Sequence, residues 1–394
     1  MSKKKHPWIS REEYLRLALE RGRLVPEVEL VPVREAWGRI TAQEITAVHS
    51  LPNTPSSLMD GIAIKSVSLA GGKPDTAGWQ EGAEYVFSNT GVGIPAGYDT
   101  AVPIEEVSFD EKGRLHILSV PVAGQNVRPV GAMLKEKEVL VPANYQLGPA
   151  QLALLTAGGV EKVPVWQKIK VAILPTGNEL VPPGRDLPPG KNIEFNGIMI
   201  EAQIKARGGE PRLYPIIPDR VPDLVRALQD ALEWADLVII NGGTSKGTDD
   251  KAIEALQSVG EILAYEVDFG PGKHTMLTAT GKKLIIGTVG PTIGAEYAVE
   301  WFVWPLMDQY YGRSWPVTRK ISVHLLEDVN APAPFDFYYR LNIMKQGEGY
   351  VGALADGSRS SFLVSRLMAN GCLRVPGNIP GYKAGEVVEA ELRQ

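Results

Sequence analysis

Between residues 170 and 306, short apolar runs alternate with helical patterns, and this alternation limits the fold more tightly than any other feature of the chain. The runs are Lys170-Val171-Ala172-Ile173-Leu174, Arg212-Leu213-Tyr214-Pro215-Ile216-Ile217, Leu237-Val238-Ile239-Ile240 and Lys283-Leu284-Ile285-Ile286-Gly287. Most are apolar throughout rather than at every second position, as expected of strands covered on both faces. Helical patterns separate them at 197–207, 222–234 and 251–259, and another follows at 295–306. Strands joined by helices predict a largely parallel sheet in a three-layer α/β domain over 169–317.

The flanking sequence has a different texture. Gly 41 plus Pro 30 is 71 of 394 residues, about 18% against a usual ~12%, which predicts many turns and several small modules. Ser10 with Glu13 forms a capping box opening a helix with Tyr14, Leu15, Ala18 and Leu19 on one face and Gly22 as its stop. From 46 to 125, runs such as Gly61-Ile62-Ala63-Ile64, Ala83-Glu84-Tyr85-Val86-Phe87 and Arg114-Leu115-His116-Ile117-Leu118 predict a small β module. It lies between this helix and a further extended stretch whose helix at 148–155 closes back on the first. Residues 318–394 predict a terminal β module. A chain of this length holds two to four domains.

Composition narrows the function classes. A formal charge of −5 argues against broad nucleic-acid or membrane-surface binding. The single cysteine, Cys372, excludes an internal disulfide framework and Cys-rich metal sites; its neighbours Asn370-Gly371 and Leu373-Arg374-Val375 predict a buried strand thiol. The five histidines have no metal-ligand spacing. No signal-peptide run and no stretch of ~20 apolar residues is present, so a soluble, cytoplasmic protein is expected.

In an open parallel sheet, ligands bind beyond the carboxyl ends of the strands. Two loops occupy such positions: Thr176-Gly177-Asn178-Glu179, and Gly242-Gly243-Thr244-Ser245-Lys246-Gly247-Thr248-Asp249-Asp250. Glycines let backbone N–H groups approach phosphate oxygens, and Glu179, Asp249 and Asp250 have the chemistry to hold a divalent cation bridging those oxygens. The same glycines equally suit a plain strand-to-helix turn with Asp249 or Asp250 as the N-cap. Asp60, before Gly61, reads either as a turn residue or as a site acid. Lys273, in Pro271-Gly272-Lys273-His274, reads either as an exposed turn cation or as an anion contact. Neither a P-loop nor a dinucleotide fingerprint is present.

Taken together, these segments resemble the MoeA-type molybdopterin molybdenumtransferases, the family that includes the E domain of gephyrin. The resemblance rests on Val33-Arg34-Glu35-Ala36-Trp37-Gly38-Arg39-Ile40-Thr41-Ala42, Leu51-Pro52 and Met59-Asp60-Gly61-Ile62-Ala63-Ile64. It continues through Thr90-Gly91 with Ile94-Pro95-Ala96-Gly97, Leu174-Pro175-Thr176-Gly177-Asn178-Glu179-Leu180 and Asn196. Gly242-Gly243-Thr244-Ser245, Pro271-Gly272-Lys273, Ala369-Asn370-Gly371 and Gly385-Glu386-Val387-Val388 complete it. The match runs colinearly over essentially the whole chain.

The resemblance implies a multidomain α/β plus β fold with an elongated N-terminal segment made of 1–45 and 126–168, an inserted β module over 46–125, a three-layer, molybdopterin-binding-like α/β domain over 169–317 and a C-terminal β barrel over 318–394. It implies a homodimer, each active site completed by the inserted module of the other subunit. The implied reaction is Mg2+-dependent hydrolysis of adenylylated molybdopterin with insertion of molybdate or tungstate into the dithiolene. The implied partners are the pterin adenylyltransferase and acceptor apo-molybdoenzymes. By residue-level carry-over, Asp60, Glu179, Asp219 and Asp250 hold metal or water, with Asp249 as the alternative metal ligand. Thr90, Thr176, Gly177, Asn196, Gly242, Gly243 and Ser245 line the pterin and phosphate site, and Lys273 meets the oxyanion. The chain departs from the family pattern at Met133, where an acid is usual, at Asn178 for Asp, and at Gly270 for Lys. Further departures are Lys246 in the Gly-Gly loop, the segment Thr288-Val289-Gly290-Pro291-Thr292-Ile293-Gly294, and Arg359-Ser360-Ser361. An active transferase and a pterin-binding or assembly protein of the same fold both follow from this reading.

Overall fold

The computed structural model describes residues 8–184, 186–243, 251–314, 319–332, 334–355 and 361–393. The chain forms two compact units, one of residues 28–165 and one in which residues before 28 join those from 166 onward. No helix among the described residues is long and apolar enough to cross a membrane.

In the larger unit the first helix, α1 (Arg11–Arg21), starts where the Ser10 hydroxyl accepts the Glu13 N–H at 3.0 Å and ends at Gly22. In the unit of 28–165, β1 (Gly61–Ile64) pairs antiparallel with β2 (Tyr85–Ser88) on one side and β3 (Thr100–Pro103) on the other. Ile62, Ile64, Val102, Leu115 and Ile117 are buried beneath this small sheet. A separate core of Val33, Ile45, Leu134, Val141, Val163 and Val165 receives Leu155 of α2 (Pro149–Ala157). The two helices expected to close one segment thus lie in different units. α1 instead buries Tyr14, whose hydroxyl donates to the Met276 carbonyl at 2.8 Å and whose ring lies 4.0 Å from that of Phe302.

The large unit contains β4 (Lys170–Pro175), α3 (Asn196–Ala206), β5 (Glu210–Leu213), α4 (Val221–Trp234), β6 (Leu237–Asn241) and α5 (Lys251–Val259). These are followed by β7 (Glu261–Ala264), β8 (Met276–Thr280), β9 (Lys283–Thr288), α6 (Thr292–Ala298) and α7 (Trp304–Tyr310). The sheet order is β5-β4-β6-β9-β8-β7, with the first four strands parallel and β8 antiparallel to both neighbours. Leu224, Leu228 and Ala231 of α4, spaced as one helical face, meet Ala172, Leu174, Val238 and Ile240 in the core. The strand expected over 212–217 stops at Leu213, and Ile217 pairs only with Thr176. Pro215 interrupts the segment and cannot donate to a ladder. The helix expected over 295–306 is α6 and α7 joined by a π turn, Val299–Val303. Pro305 lacks an N–H, and the wider turn accommodates the lost bond.

Beyond 318, β10 (Lys320–Leu325), β11 (Asp336–Gln346), β12 (Gly349–Leu354), β13 (Gly371–Val375) and β14 (Val387–Leu392) close in the order β11-β12-β10-β14-β13-β11. Closure removes unpaired edges. Val323, Leu341, Leu373, Val375 and Ala390 fill the barrel. Cys372 of β13 is buried, as expected.

Candidate active site

The order of the parallel strands reverses between β4 and β6: the chain leaves β4 toward β5 on one side and returns to β6 on the other. Such a switch point opens a crevice at the strands' carboxyl ends. Pro175 of β4, Asn241 of β6 and Thr288 of β9 end their strands in register. The following Thr176, Gly242 and Val289 therefore form one row.

Two hydrogen-bonded latches hold this row. Asp219 accepts the Thr176 hydroxyl at 2.7 Å and the Asn178 N–H at 3.0 Å, while its own N–H donates to Asn178 Oδ1 at 3.2 Å. On the other side, Asn241 Nδ2 donates to Thr288 Oγ1 (2.9 Å) and to the Val289 carbonyl (2.8 Å). That fixes Asn241 Oδ1 toward Asn196, whose Nδ2 donates to it (3.0 Å) and to the Gly290 carbonyl (2.8 Å). The Asn196 Oδ1 is consequently a buried acceptor with no partner. Glu194 secures the start of α3 by accepting the Gly197 N–H at 2.6 Å. Gly242 has φ +102°, and a Cβ there would lie 2.3 Å from the Thr176 carbonyl oxygen; only glycine permits this approach.

The structure thus brings Thr176, Gly177, Asp219, Asn196, Gly242 and Gly243 together. The exposed Glu179 carboxylate lies beside Gly177, its oxygens 2.8 Å from where a Cβ would stand. Ser245, Lys246, Asp249 and Asp250 lie outside the described residues. Among the described residues no three His, Cys, Asp or Glu side chains converge as a metal site. The exposed Glu179 has the chemistry of a carboxylate that joins phosphate oxygens and water around Mg2+, whereas the Asp219 oxygens are taken by Thr176 and Asn178.

In the other unit, Asp60 Oδ1 accepts the Thr90 N–H at 2.7 Å, and the Thr90 backbone and side chain hold the Asp60 carboxyl below its ordinary pKa. These two sequence candidates are neighbours, both exposed.

Lys273 follows a second feature along the chain without lining it. The Gly272 backbone packs on buried Gly294 of α6, where an added Cβ would stand 3.1 Å from it. Beside this contact is a cleft lined by Pro271, Ile293, Tyr338, Arg340, Ala355 and Arg366. Arg340 is 4% exposed. One of its terminal nitrogens pairs with Glu296, yet its Nε and Nη1 have no partner. A buried guanidinium with unfilled donors suits a small oxyanion. Asn241, Thr288 and Arg340 are not among the sequence candidates. Asn241 is legible as a polar end to an apolar strand, whereas Arg340, one charge in an alternating barrel strand, carries no local signal.

Residues 9–159 match the MoeA N-terminal region (domains I and II), and residues 172–309 match the probable molybdopterin binding domain. The molybdopterin molybdenumtransferase of a Nostoc species is 34% identical over 323 residues, covering 76% of this chain and 73% of the relative. That of Haemophilus influenzae is 28% identical over 387 residues, covering 93% and 94%. The crystal structure of the molybdopterin biosynthesis MoeA protein from Pyrococcus horikosii superposes with a TM-score of 0.81 at 25% identity, covering 98% of this chain and 99% of that one. The switch-point crevice, the closed barrel and these full-length likenesses place the chain in the molybdopterin molybdenumtransferase family of molybdenum cofactor biosynthesis.

Proposed function

We propose that the chain binds adenylylated molybdopterin across the β4–β6 crevice, releases AMP from it, and transfers molybdate or tungstate to the dithiolene. The observation that carries this reading is the row of in-register strand ends, with Gly242 pressed against Thr176 and Asp219 pinning the facing loop. Glycine backbone beside a hydroxyl is suited to phosphate oxygens, and the crevice lies where the fold leaves room for a ligand. Mg2+ held by Glu179, with Asp249 or Asp250, supplies charge neutralisation for a phosphoanhydride. Asp219 orients Thr176, and the Asn196–Asn241 pair holds the Gly290 loop. The oxyanion is assigned to the Arg340 cleft, with Lys273 as a second cation. The segment 289–294 runs from Gly290, bonded to Asn196, to Ile293 in the cleft wall, so the pterin phosphate and the oxyanion lie along one short stretch of chain.

Asp60 and Thr90 serve the same site from a second copy of the chain, in a homodimer that delivers its product to acceptor apo-molybdoenzymes. Incubation with adenylylated molybdopterin, Mg2+ and molybdate, following AMP, tests the reaction; release no faster than in a protein-free control refutes it. Light scattering that returns a monomer mass at micromolar protein refutes the shared site.

One observation favours a pterin-binding role without turnover. Where the family carries an acid, exposed Met133 has its sulfur 3.1 Å from Arg128 Nη1, so that cation lacks the carboxylate neighbour expected in an active site. Tight pterin binding with no AMP release is the outcome that selects this reading.

A further inference from the structure

We propose that Trp8 is a positioning residue that holds Lys273 as an un-neutralised cation for the incoming oxyanion; the inference rests on the oxyanion assignment above. Lys273 Nζ lies 4.4 Å from the centroid of the Trp8 ring and 5.7 Å from that of Phe335. The two rings meet edge to face, 5.2 Å apart and at 87°. Among the described residues no carboxylate pairs with the Lys273 ammonium.

A carboxylate partner would fix a lysine by cancelling its charge and occupying its donors. An aromatic face attracts the ammonium through its quadrupole and leaves both the net charge and the N–H groups available. The arrangement therefore restricts a flexible four-carbon side chain without lowering the field it presents to an anion. Less ordering is then required when the anion binds.

Trp8 can do this because the residues after it are tied down. The Ile9 N–H donates to the Glu266 carbonyl (3.2 Å), and the Asp268 N–H donates to the Ile9 carbonyl (3.0 Å). The Arg11 N–H donates to Asp268 Oδ1 at 3.1 Å. The Arg11 guanidinium lies 4.9 Å from the centroid of the Trp301 ring, and its Nη1 donates to the Tyr338 hydroxyl at 3.3 Å. Residues 8–11 thus form a short strap across the 266–268 segment, fastened at Tyr338 to the strand that carries Arg340.

The test uses the full-length protein and AMP release at saturating adenylylated molybdopterin and Mg2+, with molybdate varied. Trp8→Leu, which keeps apolar bulk but removes the π face, should raise half-saturating molybdate two- to fivefold, the equivalent of about 0.4–1 kcal/mol. The rate at saturating molybdate should be retained, and Trp8→Phe should restore most of the shift. Phe335→Leu provides a second removal of a ring should Trp8→Leu fail to fold. A shift in Lys273→Ala with none in Trp8→Leu or Phe335→Leu overturns the positioning role and leaves the oxyanion assignment standing. No shift in Lys273→Ala overturns that assignment at Lys273 and the inference with it. Equal loss of rate and thermal stability in Trp8→Leu, at unchanged half-saturation, reduces the ring to packing and overturns the proposal.

Discussion

Replacing Asp219 by asparagine should unlatch the loop after β4 while leaving the sheet intact. The carboxylate accepts from both the Thr176 hydroxyl and the Asn178 N–H. An asparagine can keep its oxygen toward Thr176, but its amide nitrogen then faces the Asn178 N–H, donor against donor. Hydrogen bonds to charged acceptors are worth about 1.5–3 kcal/mol; Asp219 is only half-buried, so the lower end applies, about 1.5–2 kcal/mol for the one bond lost. The loss is local, because the side chain contributes little to the core. The informative assay is therefore native-state hydrogen exchange at the Asn178 amide, read beside AMP release. A drop of that size in opening free energy accelerates exchange about 10- to 30-fold, and AMP release should fall with it, because the Asn178–Glu179 loop is no longer pinned to residue 219. Asp219→Ala, which removes both acceptors, should exchange faster still. A folded Asp219→Asn protein with wild-type exchange at Asn178 would refute the latch. Wild-type AMP release despite faster exchange would show that the latch does not serve the reaction.

Arg340→Met should raise half-saturating molybdate about tenfold or more, the effect of one lost charge-assisted bond; AMP-release titrations with unchanged half-saturation would remove the cleft from the site. Asn241→Ala removes two donated bonds and the acceptor facing Asn196, and should destabilise the protein by about 2–4 kcal/mol, read as a lower urea midpoint. Burial pushes the Cys372 thiol up to about 11 from a reference of 9.0, so the folded protein retains a proton that the unfolded chain releases. This contribution to stability is fully present below about pH 9 and is lost as pH rises toward 11, at up to ~1.4 kcal/mol per pH unit. Cys372→Ala should flatten that alkaline limb by one proton in pH-dependent denaturation; an unchanged slope would refute the assignment.

The parallel sheet was legible because strands buried on both faces must be apolar throughout, and the helices between them must carry one apolar stripe. α1 was legible because Ser10, Glu13 and Gly22 act on backbone groups within a turn of themselves. Thr176 and Gly242 could be singled out because strand-end loops and glycines leave local marks, whereas Asp219 followed only from the family resemblance. What lies between sequence-distant residues left no such mark. The Asn196–Asn241–Thr288 chain depends on three strand and helix ends meeting in register, which strand order decides. Strand β8 and the π turn before α7 answer to packing rather than to local preference. Arg340 acquires unfilled donors only because barrel closure buries its guanidinium against Glu296, and Lys273 meets Trp8 only because the strap of residues 8–11 crosses its turn. Local preference is written in neighbouring residues. Burial, register and the company a charge keeps are set by the rest of the fold.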